Sequence, residues 1–121
     1  MTSPRLRPQV LQGVYFLVTG IWPLLSRRSF ERVTGPKADF WLAQTVGVLV
    51  AAIGTVILVA ERRERITPEV KFLALASAGG LGLIEAVFAT RGRISKVYLV
   101  DALVEAVLIA AWASRERREQ V

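Results

Sequence analysis

Glu85, Asp101 and Glu105 are the residues of this chain best placed to do chemistry. They fall in the third and fourth of four apolar stretches, and no Lys, Arg or His stands between 72 and 90 or between 97 and 113 to neutralise them. A carboxylate in hydrocarbon costs about 2.5 to 3.5 kcal/mol on insertion scales, so each must be paired, protonated or wetted by a cavity. Asp101 and Glu105 are four residues apart and therefore neighbours on one helix face. Such a group attracts cations, and because like charges this close resist joint ionisation it can also exchange protons.

The elements that must hold these acids are membrane spans. Over 121 residues, 53% are hydrophobic and the mean hydropathy is +0.44, too apolar for an ordinary soluble domain of this size. The reading is an all-α, polytopic membrane protein: one domain, residues 1–121, with four transmembrane helices in a compact antiparallel bundle. A net charge of +6 would suggest nucleic acid on a soluble fold, but the sixteen Lys and Arg lie at the ends of the apolar stretches or between them. There they serve head groups, topology and snorkelling stems, so no nucleic-acid partner is expected. Cys and His are both absent, which removes disulfides, thiol redox chemistry, zinc or haem ligation through those side chains and His-based catalysis. With no catalytic motif either, no enzyme activity, cofactor or metal is expected.

Boundary residues place the spans at about 10–26, 40–60, 69–90 and 97–113. Trp22, Pro23 and Leu24 lead straight into Ser26, Arg27 and Arg28 with no small-residue cleavage site, so the first stretch is read as a retained span. Pro23 should kink it near its far end. Residues 29–33 can form a helical stub at the interface before Thr34, Gly35 and Pro36 stop it. Pro36 suits the first turn of the second span, where Asp39 complements the dipole. That span is expected to continue as a charged helical extension over 61–65 with a Glu61–Arg65 pair. Thr67 and Pro68 supply the cap and first turn of the third span. The charged tail is 114–121.

Helical periodicity turns the polar and small residues toward a common axis. The first span offers Gln12, Tyr15, Thr19, Trp22 and Ser26 on one face. The second carries Ala43, Gly47, Ala51 and Thr55 every four residues, beside Gln44 and Gly54, which is a stripe for close helix packing in lipid. The third places Ser77, Ala78, Gly82, Glu85, Ala86 and Ala89 together, and the fourth aligns Tyr98, Asp101, Glu105, Leu108 and Trp112. Glu85 lies near the end of its span and Asp101 near the start of the next, hence on the same side of the membrane, with Glu105 one turn deeper. These positions predict an acidic pocket opening toward loops one and three, with Glu105, Asp101, Glu85, Tyr98, Trp22, Trp41, Gln12 and Gln44 as ligand or proton contacts. Gly47, Ala51, Gly54, Ala78 and Gly82 are the expected packing positions. A structural reading stands beside this one: Arg91, Arg93 or Lys96 could pair with Glu85 and Asp101, Glu105 could be clamped by Gln12, Gln44 or Thr19, and Trp22, Trp41 and Trp112 could be interfacial anchors. The glycines of 78–82 lack the Lys and Ser/Thr of a phosphate loop and are packing devices.

Nine basic residues on the side of the termini against seven on the other favour both termini in the cytoplasm of an inner, cytoplasmic membrane. That near tie also admits dual insertion and an antiparallel homodimer. Size and span count resemble the small multidrug-resistance transporters, which the resemblance would make dimers of four-helix chains built around an acidic residue in the first span. Here the first span carries Gln12 and no acid, so no functional residue is transferred. Two functions are expected to compete. One is binding or transport of a cationic or lipophilic small molecule, or proton exchange, at the acids. The other is a structural or accessory role in which the second-span stripe mates with another copy or another membrane protein.

Overall fold

The protein is described by a computed structural model over residues 7–120, and among these every regular element is a helix. The helices are α1 (Pro8–Leu25), α2 (Arg27–Thr34), α3 (Phe40–Arg62), α4 (Pro68–Thr90) and α5 (Val97–Gln120). By length and apolarity α3, α4 and α5 can each cross a membrane, and α1 with α2 makes a fourth candidate bent by 115°. The bend falls at Ser26, which is extended at φ −149 and ψ 95, and not at Pro23: α1 runs helically through Pro23 to Leu25, and the Ser26 N–H still donates to the Trp22 carbonyl at 3.0 Å. Ser26 then caps α2 by accepting from the Ser29 N–H, and Gly35 ends it at φ +97, a conformation only glycine adopts freely.

Several boundaries differ from those read in the sequence. Pro36 lies ahead of α3, which starts at Phe40 with Asp39 as its N-cap and no side-chain cap bond. The extension over 61–65 is not helical beyond Arg62, because Glu64 takes a left-handed conformation at φ 56. Glu61 is consequently not paired with Arg65. It accepts instead from Arg7 at 2.6 Å and from Gln9 Nε2 at 2.7 Å, tying the start of α1 to the end of α3. At Thr67 the expectation holds, its hydroxyl accepting from Val70 N–H ahead of Pro68. The fourth span and the tail are one continuous helix to Gln120. The tail's side chains from 115 on, and Arg5 with its share of the charge bias, lie outside the described residues.

Two antiparallel pairs make up the fold: α1 against α3, and α4 against α5. The first pair is held by four glycines. A Cβ on Gly20 would stand 2.5 Å from the Gly47 carbonyl oxygen and 2.6 Å from the Ala51 nitrogen. One on Gly54 would stand 2.7 Å from the Gly13 oxygen and 2.8 Å from the Leu17 nitrogen. Backbone therefore meets backbone at two levels, seven residues apart on each helix, which is how helices associate where lipid removes the hydrophobic incentive. The stripe is real at Gly47, Ala51 and Gly54 but does not extend by fours, since Thr55 is exposed. It is also spent within the chain, with α1 covering it.

At the end where α1 begins and α3 finishes, the two pairs are closed over each other. Ile57 of α3, Ala74 of α4 and Trp112 of α5 form a buried cluster, with Ile53, Ile66, Val70 and Leu75 against it. Gln12 of α1 joins three helices there: its Nε2 donates to the Ala74 carbonyl at 2.8 Å and its Oε1 accepts from Trp112 Nε1 at 2.8 Å. Trp112 is 1% exposed, so it is a core residue and not an interfacial anchor. At the opposite end, where loops one and three meet, the pairs part around a cavity.

Candidate functional site

The cavity encloses about 960 Å³ and takes its walls from α1, α3, α4 and α5, with α2 and the loops at its mouth. Glu85, Asp101 and Glu105 all line it, and one carboxylate oxygen from each falls within 4.8 Å of the others. The geometry follows from the two helices that carry them. Gly82 lies one turn before Glu85 on α4, and a Cβ there would stand 3.2 Å from Glu105 Cβ, so its absence lets α5 bring Glu105 in close. Asp101 is one turn nearer the mouth on the same face of α5. Glu105 is 2% exposed, and both its Oε1 and that of Glu85 are buried without a hydrogen-bond partner.

Tyr15 of α1 completes the group by donating its hydroxyl to Asp101 Oδ1 across the gap between the two pairs. A phenol in that position gives the carboxylate group one directed donor. Among the described residues the ion pairs are Arg7–Glu61 and Arg27–Glu31, and none reaches the three acids. Arg93 lines the cavity mouth, while Arg91 and Lys96 are exposed in loop three. The structural alternative in which these bases neutralise Glu85 and Asp101 is thus not the arrangement adopted. Nor is the clamp of Glu105 by Gln12, whose amide bonds the Ala74 carbonyl and the Trp112 N–H instead. Three carboxylate oxygens at this spacing could surround a single hard cation, the chemistry that all-oxygen sites favour over zinc or copper.

Of the expected contacts, Trp22 and Tyr98 line the cavity together with the acids. Trp22 donates Nε1–H to Ser29 Oγ at 2.8 Å and stacks edge-on against Phe30 at 5.3 Å, which fixes α2 across the bend. Trp41, 62% exposed, is turned away from the cavity, and Gln44 and Gln12 are also outside its wall. Trp41 faces outward and the half-buried Gln44 lies off the cavity wall because the tight glycine contact fixes the rotation of α3, putting Gly47 and Gly54 toward α1. Residues that the sequence did not single out as contacts are Tyr15, Phe30 and Lys37. Tyr15 was legible as part of the inward face of α1, whereas Phe30 and Lys37 reach the cavity only because the chain folds back at Ser26. Comparison of the chain with protein-family models, curated proteins and solved structures gives no match.

Proposed function

We propose that this membrane protein binds a cation in the acidic, aromatic-lined cavity between its two helix pairs, as a binding or transport site for a cationic or lipophilic small molecule. The observation that carries this reading is Glu105: 2% exposed, its Oε1 buried without a hydrogen-bond partner, in a group of three carboxylates that each bring an oxygen within 4.8 Å of the others, with no ion pair to them among the described residues. An intramembrane acid without a counter-ion is a functional site by default, because evolution could replace it with an amide at a gain in stability. The aromatic walls supplied by Tyr15, Trp22 and Tyr98 suit the apolar body and the charge of an organic cation. The small-residue stripe invoked by the accessory reading packs against α1 within the chain.

Thermal melting of the purified protein in nanodiscs tests the proposal. A lipophilic cation such as tetraphenylphosphonium should raise the melting temperature of the wild type, by linkage equivalent to about 2.7 kcal/mol at a hundred times its Kd. Glu105→Gln, which keeps shape and removes charge, should melt no lower than the wild type and lose that response. Equal responses from both proteins would remove the carboxylates from the site. In the orientation favoured by the charge bias the cavity opens to the periplasmic side of an inner membrane. A cysteine at position 93 should then react with an impermeant maleimide from outside, and one at position 114 should not.

A further inference from the structure

Lys37, in the loop between α2 and α3, folds back over the cavity mouth. Its ammonium nitrogen lies 5.3 Å from the centroid of the Tyr98 ring and 5.7 Å from that of Phe30, both within the range at which a ring face attracts a cation. The same Nζ donates to the carbonyl oxygens of Thr34 at 3.2 Å and Gly35 at 3.1 Å. Those carbonyls terminate α2, the negative end of its dipole. The backbone N–H of Lys37 is held in turn by Glu31 Oε2 at 2.9 Å, so the loop is anchored independently of the side chain. Two ring faces and two helix-terminal carbonyls converging on one ammonium make a complete cation site, and the chain's own lysine fills it.

We infer that the Phe30–Tyr98 cleft is an outer subsite for a protonated primary amine, occupied by Lys37 until a ligand displaces it, which rests on the carboxylate cavity being the binding site. The structure supplies the ligand chemistry directly, because an alkylammonium ion repeats the atoms of the lysine head group and can reuse both carbonyl acceptors. A quaternary ammonium or phosphonium ion cannot make those hydrogen bonds. Tyr98 and Asp101 are three residues apart on α5, about 4.5 Å along the axis, so the outer subsite stands one turn above the first carboxylate. A primary amine with an apolar body therefore meets rings and carbonyls at the mouth, then Asp101, then the buried Glu105. Lys37 acts as a tethered competitor, lowering the apparent affinity by the fraction of time it holds the cleft.

Isothermal titration of the full chain in nanodiscs with phenethylammonium tests this. Lys37→Met should tighten binding about 2- to 30-fold, the range that a cation–π contact of about 0.5 to 2 kcal/mol corresponds to. Lys37→Arg, which keeps a cation over the rings, should show little of that gain. Adding Tyr98→Leu to Lys37→Met should abolish it, and the trimethylated analogue of the amine should bind more weakly than phenethylammonium to Lys37→Met. Arg93→Gln removes a charge from the same mouth. A gain there equal to that of Lys37→Met would mean simple repulsion and overturn the inference, as would unchanged binding in Lys37→Met. Lys37→Gln serves the same comparison if the methionine variant does not fold. Should phenethylammonium fail to bind any variant while tetraphenylphosphonium still stabilises the wild type through Glu105, the outer subsite falls and the carboxylate site stands. If neither cation acts, both fall.

Discussion

Substituting glycine by alanine at two positions, one in each helix pair, should give effects of opposite sign. Gly47 is buried against α1, where an added Cβ would collide with the Gly20 carbonyl oxygen and lie 3.0 Å from Pro23 Cγ. Both obstacles belong to backbone or a proline ring and cannot rotate away. The remaining relief is for α1 and α3 to move apart by about 1 Å, and a gap of that size forfeits a quarter to a half of the dispersion attraction between the atoms concerned. Gly47→Ala should therefore destabilise by about 1 to 3 kcal/mol, the usual cost of overpacking, with the upper part of the range favoured by the rigid neighbours. Gly80 lies in α4 with nothing within 4 Å of the position a Cβ would take. There Gly80→Ala only removes backbone freedom from the unfolded helix and should stabilise by about 0.5 to 1 kcal/mol. Reversible unfolding in mixed micelles, followed by tryptophan fluorescence, measures both changes against one reference. If Gly47→Ala proved neutral or stabilising, the backbone-to-backbone packing of α1 on α3 would be refuted, and with it the rotation of α3 that excludes Trp41 and Gln44 from the cavity.

Two further outcomes are expected. Gln12→Leu should lose about 1 to 2 kcal/mol, since it leaves the buried Trp112 N–H without its acceptor and the Ala74 carbonyl without one of its donors. Cation binding should survive, because Gln12 is outside the cavity wall, and Trp112→Phe in the same chain should recover part of the loss. Glu31, in the polar helix α2, has its carboxyl held below the usual range chiefly by the Lys37 backbone N–H and further by Arg27. A depressed folded value means that the stabilisation is present above the ordinary carboxylate pKa and is lost as the pH falls through the lowered one. Proteolytic nicking of loop one should accordingly rise below about pH 4.5, and Glu31→Gln should show the higher susceptibility at neutral pH, with little pH dependence left. Nicking that is independent of pH in the wild type would dismiss the Glu31–Lys37 tie.

What the sequence determined is whatever depends on neighbours along the chain. Apolar runs of membrane-spanning length fixed the class, and Thr67, Pro68 and Gly35 fixed helix ends, because caps and glycine turns are satisfied within a few residues. Periodicity placed Glu85 on the small-residue face of α4 and aligned Tyr98, Asp101, Glu105, Leu108 and Trp112, since a helix's geometry makes its own faces computable. The convergence of the three acids near one end of the fold followed from their depth along the spans.

Tertiary structure decided the matters that require knowing which face meets which. The glycines of α1 were as visible as those of α3, yet that Gly13 and Gly20 meet Gly54 and Gly47 emerges only when two helices approach in antiparallel register. That contact sets the rotation of α3 and so removes Trp41 and Gln44 from the site. The competition for Glu61 went to Arg7 and Gln9, distant in sequence, because the left-handed turn at Glu64 ends the helix that Arg65 would have needed. Gln12 and Trp112, polar and amphipathic, were drawn into the closed end of the fold, where each satisfies the other. The 115° turn at Ser26 laid Phe30 and Lys37 across the cavity mouth. Sequence suggested a break near there, but α2 lies where Phe30 meets the rings of Trp22 in α1 and Phe40 in α3, contacts that no spacing along the chain records.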